Sequence, residues 1–135
     1  MERVSTFSLG VEEEYLLVDP ATRDLVASPD PAFMESCRAA LGDCVSHELL
    51  QAQVEIDTPP CADIHELSAA LRRLRGGVVQ AAEAHGMAVI ACSTHPFANW
   101  RTLRRVSRER YDELARDLRI LADRLAICGM HVHVG

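Results

Sequence analysis

Hydrophobic and polar residues alternate over 6–18: Phe7, Leu9, Val11, Tyr15 and Leu17 share one parity, and Ser8, Gly10, Glu12, Glu14 and Leu16 the other. A repeat of two matches the pleat of an extended chain, so the stretch predicts a long strand. Asp19-Pro20 opens a turn, and 25–27 reads as a short strand that pairs back before Ser28-Pro29-Asp30-Pro31 interrupts the chain. A helix is predicted over 32–41, entered through prolines that suit a first helical turn and ended at Gly42. Residues 49–58 alternate again, with Val54 and Ile56 on one face and Gln53, Glu55 and Asp57 on the other, until Pro59-Pro60 forbids further pairing.

The period then changes. Asp63 and Glu66 form a capping pair, and Ile64, Leu67, Leu71, Leu74, Val78 and Ala82 recur at helical spacing up to Gly86. Gly76-Gly77 weakens this helix by about 1 kcal/mol per glycine relative to alanine, which calls for close packing against a neighbouring backbone as compensation. Residues 87–93 are apolar and β-prone, as in a strand covered on both faces, and Thr94-His95-Pro96-Phe97 leaves it as a loop. Ser107 caps a third predicted helix, whose apolar stripe is Tyr111, Leu114, Leu118, Leu121 and Leu125. Residues 130–135 return to alternation, with Met130, Val132 and Val134 on one face and His131 and His133 on the other. Strands and helices mixed in this way indicate an α+β chain with no internal repeat or linker.

Composition narrows the function classes. The 135 residues give room for one domain with a real core, and 48% hydrophobic with 25% charged residues is ordinary for a globular protein. Net charge is −6, which repels phosphate backbones and anionic lipid, so nucleic acid and membrane surfaces are excluded as expected partners. All fourteen basic residues are arginine. A chain without lysine cannot build a P-loop, so a bound nucleotide would be neutralised by metal ions and arginine. Cys37, Cys44, Cys61, Cys92 and Cys128 form no CxxC pair and no even framework, which fits a reducing cytoplasm. No window approaches the ~18 consecutive apolar residues of a membrane span.

Three groups of residues could carry chemistry. Glu12 and Glu14, two apart on a strand, leave the same face with Cα atoms about 7 Å apart, close enough to share a cation. Mg²⁺ takes a few hard oxygen ligands and completes its shell with water and phosphate, which suits such a sparse cluster. Read alone, three consecutive glutamates also suit a solvated edge strand, but the apolar residues around them argue for an interior strand where carboxylates need compensation. Glu13 points to the opposite face and reads as structural. Glu55 adds a third oxygen ligand if its strand neighbours the first. His131 and His133 share a face in an H-x-H spacing that can bind metal or hydrogen-bond phosphate. His95 is a weaker loop candidate, and Arg72, Arg73, Arg104, Arg105, Arg108 and Arg110 read as helix-surface charges.

Gly10-Val11-Glu12-Glu13-Glu14-Tyr15, Gln53-Val54-Glu55-Ile56-Asp57-Thr58-Pro59, Thr94-His95-Pro96-Phe97-Ala98 and Cys128-Gly129-Met130-His131-Val132-His133-Val134-Gly135 together resemble the YbdK-like carboxylate-amine ligases, also called type 2 glutamate-cysteine ligases. Their order and spacing cover essentially the whole chain. The resemblance implies a glutamine-synthetase-like fold: an antiparallel sheet curved into a funnel, helices behind it and the active site on the concave face. It also implies that ATP phosphorylates the γ-carboxylate of glutamate, after which the amine of cysteine, or another amine, attacks the acyl phosphate to form an amide. Glu12, Glu14 and Glu55 match strand carboxylates that ligate Mg²⁺. His131 matches a catalytic histidine near the nucleotide's phosphates and metal, and His133 is a second nucleotide-side position at which related ligases vary. A homodimer is the candidate assembly. Family members are longer, so the chain is expected to be the N-terminal part of a single catalytic domain and inactive by itself. Two other readings stay open on the residues alone: a metal-dependent hydrolase using the H-x-H pair, and a non-catalytic α+β binding module.

Overall fold

The first strand is the axis of the molecule. In the computed structural model, which describes residues 7–104, 106 and 127–135, strand β1 spans Leu9–Val18. It is followed by helix α1 (Pro31–Leu41), a turn of 3-10 helix, strand β2 (Val45–His47), strand β3 (Gln53–Asp57), helix α2 (Ile64–Ala84), strand β4 (Ala88–Ile90) and strand β5 (Met130–Val134). All pairings are antiparallel: β2 lies beside β3, β3 beside β1, and the other edge of β1 is shared by β5 along Leu9 to Glu13 and β4 along Leu16 to Val18. The result is an α+β sheet with β1 at its centre.

Local chemistry explains the boundaries. The Asp30 carboxylate accepts from the Ala32 N–H to start α1, and Gly42 ends it at φ 63, a left-handed conformation that suits glycine. The Asp63 carboxylate accepts from His65 and Glu66 N–H groups, while the Glu66 carboxylate reaches back to the Ala62 N–H, so both halves of the predicted capping pair are made. Both helices cover one face of the sheet. Between them Tyr15, Leu17, Phe33, Val54, Leu74 and Val78 form the main core, and a smaller cluster of Val11, Cys61 and Leu67 continues it toward the start of β1.

Four expectations change in detail. The strand predicted over 49–58 begins only at Gln53, because the chain reverses after His47 so that β2 can pair with β3, and buried Leu49 and Leu50 occupy the turn instead. The stretch 25–27 makes an isolated bridge from Leu25 to Val18, and 87–93 shortens to Ala88–Ile90 with intermediate burial. At the glycine pair the close neighbour is a side chain and not backbone: a Cβ on Gly77 would collide with Leu41 of α1, whereas one on Gly76 would meet nothing within 4 Å. The third predicted helix, with Ser107, Tyr111 to Leu125, Arg105, Arg108 and Arg110, lies outside the described residues.

Candidate functional site

Side-chain parity along β1 sorts its three glutamates. Val11, Glu13, Tyr15 and Leu17 face the helices and are buried, which sends Glu12 and Glu14 to the opposite, open face. Register then decides which groups meet them. Glu14 lies opposite Glu55 and Glu12 opposite Asp57 across the β1–β3 pair, while on the other edge Glu12 lies opposite His131 and Gly10 opposite His133. The five residues singled out from sequence, Glu12, Glu14, Glu55, His131 and His133, therefore share one face of three adjacent strands.

They do not form a single cluster. Glu14 and Glu55 are joined by Glu48, and one carboxylate oxygen from each of the three lies within 4.8 Å of the others. Glu12 stands with the histidines instead: His131 Nδ1 is 3.0 Å from its Oε2 and His133 Nε2 is 3.3 Å from its Oε1. The sequence reading missed Glu48, which sits in the turn between β2 and β3, seven residues before Glu55. Only the reversal of the chain brings it over the strand. Asp57 was recognised on the polar face without a role, and it proves to be the register partner of Glu12.

Electrostatics separates the two groups. Burial, followed by the charges of Asp57, Glu48 and Glu14, pushes the Glu55 carboxyl up to about 7, opposed by a hydrogen bond from the Ser46 hydroxyl. Like charges have been gathered at a cost, and an all-oxygen set of this kind fits a hard divalent cation such as Mg²⁺. Glu12 moves the other way, held below the usual carboxylate range chiefly by its hydrogen bond to His131, and that same bond raises His131. Asp57 is raised by burial and by the Glu12 charge. The Gly129 N–H donates to Glu14 Oε2 at 3.1 Å, fixing one carboxylate of the first group. An open cavity of about 630 Å³ adjoins the second, bordered by Gly10, Glu12, Asp57, Thr58 and His133.

The remaining candidates lie elsewhere. Glu13, on the helix face, accepts two hydrogen bonds from Arg75, at 2.7 and 2.9 Å, and one from the Tyr15 hydroxyl. His95 hydrogen-bonds the Arg23 carbonyl at 2.9 Å and packs edge-on against Phe97. Arg72, Arg73 and Arg104 are exposed.

Residues 8–135 match the family model described as glutamate-cysteine ligase family 2 (GCS2). Among curated relatives, a protein of Paracoccus denitrificans is 49% identical over 96% of this chain and 34% of its own length, and one of Rhodospirillum rubrum is 48% identical over 98% and 35%. Both are provisionally named glutamate-cysteine ligase 2. The chain thus spans about a third of the length of the relatives it matches. Two solved structures share the fold: a glutamate-cysteine ligase of Francisella tularensis in complex with AMP (TM-score 0.76, 15% identity, 97% of this chain and 27% of that one), and a bifunctional glutathione synthetase of Pasteurella multocida (TM-score 0.74, 19% identity, 95% and 17%).

Proposed function

Because the chain belongs to glutamate-cysteine ligase family 2, we propose that its open sheet face is the cation- and phosphate-binding part of an ATP-dependent ligase that joins the γ-carboxylate of glutamate to the amine of cysteine. The observation that carries this reading is the convergence of Glu14, Glu48 and Glu55 oxygens within 4.8 Å, beside a carboxylate held ionised by two imidazoles. A face that served only as a solvated surface would gain nothing from such crowding. The AMP bound by the Francisella ligase, on the same fold, adds support for a nucleotide here.

In this reading Glu14, Glu48 and Glu55 hold Mg²⁺, which when bound supplies the positive charge that lets a polyphosphate approach a carboxylate. Glu12 accepts from His131 Nδ1 and so orients the ring, and in the protonated imidazole, which that bond favours, Nε2 donates toward a phosphoryl oxygen. His133 closes the other side of Glu12 and borders the open cavity, where an anionic group could meet its second nitrogen. The amide forms when the amine displaces phosphate from the γ-glutamyl phosphate, with ADP as the other product. The pocket residues for the two amino acids are assigned to the portion of the longer relatives that this chain does not span. Five free cysteines fit a reducing cytoplasm, and no helix among the described residues is long and apolar enough to cross a membrane.

The test is a titration of the chain with Mg²⁺ and ATP. Glu14→Ala and Glu55→Ala should each weaken Mg²⁺·ATP binding by about tenfold or more, with Glu48→Ala close behind. Affinity unchanged in all three variants refutes the assignment. The 135-residue chain should release no ADP in the presence of glutamate and cysteine. ADP release dependent on both would overturn the division of the active site.

A further inference from the structure

Among the described residues, two polar or charged side chains are buried: Glu13, matched by Arg75 and Tyr15, and Gln53. Gln53 is 2% exposed and lies on the carboxylate face opposite Leu16, which is fully buried. An amide placed beside leucine is costly unless its hydrogen bonds are made. Its partners show what is gained. Gln53 Oε1 accepts from the Leu50 N–H at 3.3 Å, and Nε2 donates to the Ile127 carbonyl at 2.6 Å, with Cys128 Sγ at 3.8 Å.

Each partner lies one short step from the site. Leu50 is two residues after Glu48, and Gln53 is itself two residues before Glu55 on the same face. Ile127 is two residues before Gly129, whose N–H donates to Glu14 Oε2 and whose carbonyl accepts from the Glu14 N–H, both at 3.1 Å. His131, bonded to Glu12, follows two residues later. One buried amide therefore joins the turn carrying Glu48 and the strand carrying Glu55, which are close in sequence, to the remote segment delivering Gly129 and His131.

We propose that Gln53 is a positioning residue of this face, holding the Glu48 turn and the Ile127–Gly129 approach in register so that the carboxylates and His131 converge. The proposal rests on the cation-binding reading above for its functional meaning and on hydrogen-bond geometry for its structural one. Outer residues that orient ligating carboxylates characteristically alter metal affinity about 10- to 100-fold when removed.

The experiment compares the wild-type chain with Gln53→Met and Gln53→Leu in three readouts: urea midpoint, amide hydrogen exchange, and calorimetric titration with Mg²⁺ alone. The expected result is a folded chain with a modestly lower midpoint, because the Leu50 N–H and the Ile127 carbonyl lose their partner. Exchange should be at least ~10-fold faster at Cys128 and Gly129 but unchanged at Tyr15 and Val54, and Mg²⁺ affinity should fall by ~10-fold or more. Unchanged exchange at Gly129 with wild-type Mg²⁺ affinity overturns the proposal. A uniform rise in exchange across the sheet, or failure of both variants to fold, makes Gln53 a general structural residue and also overturns it. Should the wild-type chain bind no Mg²⁺ while the variants still loosen Cys128 and Gly129 selectively, the coupling by Gln53 is supported and the functional reading of the face is what fails.

Discussion

Replacing Arg75 by alanine isolates the ion pair that holds the buried Glu13 carboxylate on the helix side of the sheet. The Glu13 side chain is 8% exposed and Arg75 45%, joined by two parallel hydrogen bonds at 2.7 and 2.9 Å, with the Tyr15 hydroxyl as a third donor to the same carboxylate. Removing one partner of a fully buried pair costs about 3–5 kcal/mol, because the other charge is left without compensation. Here the guanidinium is nearly half in water, so solvent can partly replace it, and Tyr15 stays. The loss should be about 2 kcal/mol, a fall in Tm of roughly 5–10 °C for a chain of this size. Urea unfolding followed by circular dichroism should show a lower midpoint with an unchanged slope. The double variant Glu13→Leu, Arg75→Leu should recover most of the loss, since no buried carboxylate is then left without its partner. A change below about 0.5 kcal/mol in Arg75→Ala, or a double variant no better than the single one, would refute the view that Glu13 is held by compensation at this site.

The remaining predictions concern the open face and the helix pair. Glu55 titrates near 7 in the folded chain against an ordinary 4.5, so its protonated form favours the fold: this contribution is complete below about 4.5 and is lost as pH rises through about 7. Glu55→Gln should therefore match wild type at pH 4.5 but unfold at higher urea at pH 8, a gap that saturating Mg²⁺ narrows by stabilising wild type. Equal midpoints at pH 8 would contradict the crowding. Gly77→Ala should destabilise, because its Cβ lies 3.0 Å from Leu41 Cγ and closer still to Cδ2, an overpacking cost of about 1–3 kcal/mol that exceeds the gain in helix propensity. Gly76→Ala, with open space around it, should stabilise by up to about 1 kcal/mol. Thermal melts of the pair decide the matter by their opposite signs. Asp63→Ala removes the acceptor for two N–H groups at the start of α2 and should cost about 1 kcal/mol, read from the same melts.

Much of this was legible along the chain because it is local. Alternation over 6–18 already placed Glu12 and Glu14 together and Glu13 apart, since parity in a strand needs no knowledge of neighbours. Caps and apolar stripes located both helices to within a residue or two, and the four short motifs carried the family resemblance. Pairing is a different matter, for it joins residues far apart in sequence. No local pattern shows that Glu14 meets Glu55 while Glu12 turns to His131 and His133 on the opposite edge. Glu48 entered the carboxylate group only because the chain reverses between β2 and β3, and two leucines in that turn disguised it as strand. Gln53 read as one more residue on a polar face until its amide was seen to span two distant segments. Local periodicity thus determined the elements and the faces of their side chains, whereas register and burial, set by packing the whole sheet against its helices, decided which charges must share a space.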